Sequence, residues 1–505
     1  MEYLFTQTPL AFFVQDLWRD EAFSFFMASQ SIGEIIRTTA ADFSPPLYYL
    51  VLHYWMQMLG TSEVAMRSLS LGFHLLTCYV LVQILIHVFR FSFARALIYF
   101  PLILTAPFLL FYGFEARMYA MVAFFVTFSY FALWKKQFIL YVIAITLAMY
   151  TQYLSVAIFL LQATTFIGYQ LWSRREMISN LFSQKQRFSH YVEVLFSWFV
   201  KPSLPFLISA LCYVPWIVIM LNSRSGSGED FWVIQPPVAD ILYLPLVLFT
   251  GYERIFGEYY HEKAGYVWLH TRLLIFISIA LLLPLLAKSF SFVQSQLKMK
   301  DRIRKEVLSK DARLISVYLW AFALPIALYL LSFVTTPLYH PRYFIMAAPG
   351  FLLLIVLSLD KCVRMSEIWI MKYFPSQLTH TMLAKILPLL LPSIVVLGML
   401  LSVQDFQALN LKYRSKRLLS PLYTEIGKLR KPGEPVLVTN ELDYHLALYY
   451  IGKENIYIMH KTYAEIPSYV GKVLIPRSAF VNAPPSYPKR SYILHYNSYD
   501  TYSEL

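Results

Sequence analysis

The sequence predicts an α-helical protein that crosses a membrane many times and carries a small α/β domain at its C-terminal end, and three observations lead there. Of 505 residues, 58% are hydrophobic and only 14% are charged, too little polar surface to cover a soluble globule of that size. Apolar runs of roughly bilayer-spanning length recur between residues 64 and 404. After residue 405 the apolar runs shorten to strand length and alternate with a helical stretch.

Taken in order, residues 1–13 are too short and too polar to span and lack the basic stretch of a signal peptide. Residues 18–24, WRDEAFS, open a helix with two adjacent carboxylates, Asp20 and Glu21. Such a pair is costly near lipid unless a cation, a substrate hydroxyl or water meets it, although acidic side chains also suit a helix N-terminus. Ser31 and Glu34 have capping-box spacing, and Ser44-Pro45-Pro46 opens an aromatic helix that ends near Gly60. That helix, residues 47–59, is too short to cross and is placed in the membrane interface.

Spans are then expected at 64–88, 96–113, 116–134, 137–152, 153–172, 203–221, 269–288, 314–334, 343–360 and 386–404, ten in all. The basic loops, carrying Arg90 and Arg95, Lys135 and Lys136, and lying at 174–201, 298–313 and 361–385, belong in the cytoplasm by the positive-inside rule. The net charge of +13 is thereby explained by orientation in the bilayer, and nucleic acid is excluded as a partner. Cys78, Cys212 and Cys362 show neither CxxC nor zinc spacing.

Alternation places residues 1–62, the Glu115 turn, the 222–268 loop, the 335–342 loop and everything after about 405 on the exoplasmic face. An exoplasmic N-terminus without an insertion signal would be explained by a further span before Met1, making eleven. Within the long outer loop, 223–228 reads as a flexible stretch and 240–256 as an interfacial segment able to act as a lid. Beyond the membrane domain, 1–404, the 405–505 domain is expected to be exoplasmic and water-soluble, with strands at 434–439, 455–459, 472–475 and 490–496 and a helix at 441–450. It has no GxGxxG or P-loop, so no nucleotide site is expected there.

Two further constellations fall on the outer face. In residues 112–120, YGFEARMYA, Gly113 breaks a span, and Glu115 and Tyr119 are expected on one face of the next helix, with Arg117 pointing elsewhere. An acid and a base at the mouth of a helical hairpin form either an interfacial ion pair or a functional site. His340-Pro341-Arg342-Tyr343 offers an imidazole and a planar guanidinium suited to phosphate oxygens, or else a snorkelling arginine beside a belt tyrosine.

The order of WRDEAFS at 18–24, FSPPLYYLVLHYW…GTSEVAMRSLS at 43–70, FEARMYA at 114–120, YTQY at 150–153 and HPRYF at 340–344 resembles the GT-C glycosyltransferases, in particular the family 39-like group related to protein O-mannosyltransferases and the lipid A aminoarabinose transferase. The resemblance covers about residues 20–360. It implies a GT-C fold in the cell membrane and a transferase that takes a sugar from a polyprenyl-phosphate carrier on the exoplasmic side. The acceptor would be a protein, lipid or glycan, and transfer is usually with inversion.

The resemblance also assigns roles. Asp20 matches the family's catalytic carboxylate and Glu21 the neighbour that helps place the acceptor. Arg117 and Arg342, with His340 nearby, match the donor-phosphate binders, while Glu115, supported by Tyr119, either holds a divalent metal or orients Arg117. Family members differ in metal use, so a divalent cofactor stays open. Gln152 departs from the pattern, since histidine is common at that place. Asp42 reads as a loop residue before a proline turn, and His53, alone on an aromatic helix, as a packed or interfacial residue. The alternative function is a transporter or flippase of the same lipid-linked sugars, against which stands the lack of an internal repeat. A membrane anchor presenting the C-terminal domain is a third, and it leaves the charged motifs unexplained.

Overall fold

A computed structural model describes residues 2–42, 44–173, 196–223, 233–251, 301–373, 377–414, 416, 419–484, 490–495 and 498–503. The N-terminal part is a series of short helices, α1 (Glu2–Gln7), α2 (Leu10–Val14), α3 (Arg19–Ala28), α4 (Ile32–Ala40) and α5 (Leu47–Leu59). Each starts or stops where the chain signals it. In α4 the Glu34 carboxylate accepts from the Ser31 backbone N–H at 3.1 Å, the expected cap, and α5 ends at Gly60 with φ of 89°.

Five described helices are long and apolar enough to cross a bilayer: α6 (Glu63–His87), α12 (Lys201–Ser223), and the segments Ala312–Leu331, Pro341–Ile370 and Ile386–Lys412. These last three lie within α14 (Asp301–Leu331), a 3₁₀ turn (Pro341–Ala347) followed by α15 (Ala348–Tyr373), and α16 (Gln377–Arg414). The run expected as one span at 96–113 is instead a bent pair, α7 (Phe93–Leu104) and α8 (Pro107–Gly113), meeting at 65°. Pro107, which cannot donate a backbone hydrogen bond, opens the second limb. The runs at 116–134, 137–152 and 153–172 form the shorter apolar helices α9 (Tyr119–Trp134), α10 (Phe138–Thr151) and α11 (Ser155–Ser173). The expected span at 269–288 and the flexible stretch after Ser223 lie outside the described residues, as does the end of the expected lid after Gly251. Its described part is a 3₁₀ turn, Val238–Tyr243, followed by α13 (Leu244–Thr250).

Burial separates the centre of the bundle from its rim. The apolar stretch of Pro341–Ile370 is 89% buried against 28% for Lys201–Ser223, so the first is central and the second presents Leu207, Leu211 and Val218 outward, as a lipid-facing helix does. Trp320 pins the centre. Its Nε1 donates to the Met346 carbonyl at 2.7 Å, its ring stacks on Tyr130 at 4.2 Å, and a Cβ at Gly350 would lie 2.7 Å from it. The 3₁₀ turn that carries Arg342 is thereby fastened to α9 and α14.

Helix α16 runs past residue 404 to Arg414, and the C-terminal region begins with α17 (Ser420–Leu429). Its sheet has five strands in the order β3-β2-β1-β4-β5: β1 (Val436–Val438), β2 (Ile456–Met459), β3 (Phe480–Val481), β4 (Ser491–Leu494) and β5 (Tyr499–Tyr502). All pairings are parallel except β4 with β5, and Leu437 sits opposite both Tyr457 and Ile493. A 3₁₀ turn, Glu441–Asp443, leads into α18 (Tyr444–Tyr450). The strand expected at 472–475 is a 3₁₀ turn, Lys472–Leu474, because Gly471 at φ 77° and Pro476 close the chain on itself at either end of that apolar run.

Candidate active site

The site is built on the first turn of α3. Trp18 is extended, and the helix opens with Arg19, Asp20 and Glu21. Successive helical residues diverge by about 100°, so the two carboxylates enter different surroundings.

Glu21 turns inward. Its Oε1 accepts from Arg67 Nε at 2.8 Å and the Ala116 N–H at 2.9 Å, and its Oε2 accepts from Arg67 Nη2 at 2.8 Å, the Trp18 N–H at 2.8 Å and Lys416 Nζ at 2.7 Å. Arg67, on α6, also donates to the carbonyls of Phe13, Gln15 and Asp16, and so ties the segment before α3 to the bundle. Burial alone would raise the Glu21 carboxyl, but the charges of Arg67 and Lys416 outweigh it and hold the group well below the usual carboxylate range.

Asp20 faces a more open space, its side chain 37% exposed against 0% for Glu21. Its Oδ2 meets Arg342 Nη1 at 3.0 Å. Burial raises its carboxyl, Arg117 and Arg342 lower it by more, and the net result is a pKa below the ordinary value, so Asp20 is ionised at neutral pH. Arg117 is buried, with Nη1 3.3 Å from the Asp20 carbonyl, 3.2 Å from Ser24 Oγ and 3.4 Å from Tyr49 Oη. Its Nε is buried with no hydrogen-bond partner among the described residues.

The hairpin mouth differs from the sequence expectation. Glu115 is not on a helix with Tyr119: α9 begins at Tyr119, and residues 114–118 form a turn in which the Arg117 N–H donates to the Glu115 carbonyl at 2.7 Å. That turn aims Arg117 at α3. Glu115 is buried, and burial pushes its carboxyl pKa up; Lys416 opposes the shift and Glu21 adds to it. Tyr119 packs edge-on against Tyr112 at 4.7 Å, within electrostatic reach of Arg342 and Arg117.

His340 stands behind Arg342, accepting the Arg342 N–H on Nδ1 at 3.4 Å, and thus caps the turn that presents the guanidinium. Asp20, Glu21, Glu115, Arg117 and Arg342 are therefore gathered at one place, with His340 and Tyr119 at its edge. Asp42 is buried, within electrostatic reach of Tyr49. His53 is a strut between helices, with Nδ1 2.7 Å from the Ala28 carbonyl and Nε2 2.8 Å from Gln57 Nε2. The YTQY turn packs against α12, where Tyr150 Oη donates to the Cys212 carbonyl at 3.0 Å and the Tyr150 ring meets Tyr213. Arg67 and Lys416 were missed from sequence. Arg67 could have been found as an ionisable residue in a spanning run, whereas nothing in the sequence around Lys416 signals its place.

Among the described residues no three His, Cys, Asp or Glu side chains converge on a metal position. Both oxygens of Glu21 are already occupied by five donors, so Glu21 has no oxygen left to offer a divalent ion.

A multi-pass helical bundle with a small α/β sheet after the last long helix has the GT-C-like fold of its structural neighbours. Among solved structures, ArnT from Cupriavidus metallidurans, the lipid A aminoarabinose transferase, superimposes in its apo state with a TM-score of 0.58 over 96% of this chain and 90% of that chain, at 11% identity. The same protein bound to undecaprenyl phosphate gives a TM-score of 0.52 with the same coverage of 96% and 90%, at 10% identity. No family model matches the chain, and no curated protein matches it in sequence. At these identities the likeness is one of fold.

Proposed function

We propose that this chain is a membrane glycosyltransferase that moves a sugar from a polyprenyl-phosphate-linked donor to an acceptor on the exoplasmic face, with inversion. The observation that carries the reading is the ionised, half-exposed Asp20 held at 3.0 Å by Arg342 with Arg117 behind it. Such transfer needs a carboxylate to orient or deprotonate the acceptor and cations where the phosphate departs. Support comes also from the fold, since ArnT, of the same fold, has been crystallised with undecaprenyl phosphate.

In this mechanism Asp20 accepts the proton of the acceptor nucleophile as that atom attacks the anomeric carbon from the face opposite the phosphate. The bond between the anomeric carbon and the phosphate oxygen breaks, and polyprenyl phosphate leaves with its added charge met by Arg342 and Arg117. Arg342, paired with Asp20 in the structure, exchanges that partner for the donor phosphate. Glu21, saturated by donors, holds α3 in place instead of touching the acceptor. Glu115 supports the Arg117 turn, and Lys416 adds positive charge beside the carboxylates. The region following α16 is proposed as a separate exoplasmic domain, and the cell membrane as the location.

The test is Asp20→Asn in purified protein offered a panel of polyprenyl-phosphate sugars. Transfer should be lost while folding and donor binding persist, because the amide keeps the shape and loses the base. Near-normal turnover would remove Asp20 from the mechanism.

A further inference from the structure

We infer that the C-terminal α/β region is a positioning device for the Asp20 helix, acting through Asp443 and His445 on Arg19 and Phe23. The inference rests on the proposed reading of Asp20 as the reacting carboxylate.

Helix α3 has three functional faces. Asp20 and Ser24, four residues apart, share the face toward Arg117, with Ser24 Oγ donating to the Asp20 carbonyl at 3.0 Å. Glu21 points into the bundle and is locked by Arg67. Arg19 and Phe23, also four apart, share the third face with Phe26, and α18 and the turn before it cover that face. Arg19 Nε meets Asp443 Oδ1 at 2.7 Å with side chains only 17% and 12% exposed. The His445 ring lies 5.9 Å from both Phe23 and Phe26, nearly perpendicular to the first at 87°. Gly471 presses on the same ring: a Cβ there would stand 2.5 Å from Phe23, and its φ of 77° already excludes most side chains.

The brace extends to both sides of α3. Tyr450 Oη accepts the Leu17 N–H at 2.9 Å and donates to Glu63 at 3.0 Å, and Tyr449 Oη donates to the Thr61 carbonyl at 2.9 Å. Thus α18 grips the residues just before α3 and the start of α6, the helix that carries Arg67. A helical side chain reaches about 5–6 Å from the axis, so a rotation of about 10° moves the Asp20 carboxylate by ~1 Å. A displacement of that order is enough to cost about 100-fold in rate. Arg67 fixes the depth of the helix, and the Arg19–Asp443 pair with its aromatic floor fixes its rotation.

The experiment compares wild type, Asp443→Asn, Arg19→Met and the exchanged pair Arg19→Asp with Asp443→Arg, in full-length protein in detergent. Two readouts are taken: transfer kinetics from a polyprenyl-phosphate sugar, and hydrogen exchange of the amides of residues 20–28. Each single variant should lose at least ten-fold in kcat per folded molecule with the donor KM changed less than three-fold. Exchange in α3 should quicken at least ten-fold, and the exchanged pair should recover most of both. A purely structural contact would lower the yield of folded protein and leave kcat per folded molecule unchanged. Wild-type kcat in the single variants, or unchanged α3 exchange, overturns the inference. Wild-type protein that transfers no sugar overturns the enzyme reading instead, and the exchange data then decide by themselves whether the clamp exists.

Discussion

Replacing Glu21 by glutamine should destabilise the end of the bundle that carries α3 rather than tune its chemistry. Glu21 and Arg67 are both 0% exposed, and the carboxylate accepts from Arg67 twice, from Lys416 and from the backbone N–H groups of Trp18 and Ala116. A glutamine keeps one acceptor oxygen and turns an NH₂ toward the remaining donors, leaving the Arg67 charge buried and uncompensated. Removing one member of such a pair costs about 3–5 kcal/mol, a large share of the roughly 5–15 kcal/mol that holds a folded protein together. The assay is the fraction that stays monodisperse in detergent after graded heating, with transfer measured per folded molecule. Glu21→Gln with Arg67→Met should recover part of the loss, because the orphan charge goes with its partner. Recovery stays incomplete, since the Arg67 bonds to Phe13, Gln15 and Asp16 also disappear. A Glu21→Gln protein as heat-resistant as wild type but slow with acceptor would refute this reasoning and return Glu21 to the acceptor-placing role that family resemblance implies.

Arg342→Lys should retain less than about a tenth of the wild-type rate, roughly 1.4 kcal/mol of transition-state stabilisation, because a point charge cannot reproduce the two-point contact of a guanidinium with phosphate; full activity in the lysine variant would mark Arg342 as a snorkelling residue, and lipid-linked sugar moved across the bilayer without transfer would favour a transporter. A tag after residue 505 should be reached only from outside the cytoplasm and one within 301–310 only from inside, and finding both on one face would overturn the positive-inside orientation. His445 is buried, which pulls its pKa down to about 4 from its ordinary 6.5, so the folded form stays neutral where the unfolded chain binds a proton. Stability from this group is complete above about pH 6.5 and falls as pH drops toward 4, by at most about 3 kcal/mol. The checking measurement is α3 hydrogen exchange or thermal midpoint between pH 7 and 4.5, with His445→Gln expected to lose that part of the pH dependence.

Much of the fold was legible because its signals are local. The length and apolarity of residues 64–88, 203–221, 314–334 and 343–360 predicted helices that the structure places within one to three residues or extends, since a bilayer enforces a minimum apolar length. Val436–Val438 and Ile456–Met459 were readable as strands for a similar reason, as short β-branched runs between turn residues. The 472–475 run is a turn rather than a strand because three apolar residues after Lys472 are compatible with either until Gly471 is seen packed on Phe23.

The site divides in the same way. The sequence by itself determined that Asp20, Glu21, Glu115, Arg117 and Arg342 are ionisable groups at the ends of apolar runs, and the alternation of basic loops put them on one face. Only the tertiary structure decided which carboxylate is saturated with donors and which is left half-open. Arg67 lies 46 residues from Glu21, Ala116 lies 95 away and Lys416 lies 395 away, and these groups decide that Glu21 is saturated while Asp20 is left half-open to Arg342, 322 residues downstream. The physical reason is that charge and hydrogen bonding act over a few ångströms of space, and a sequence records order along the chain without recording which distant donors come to rest beside a carboxylate.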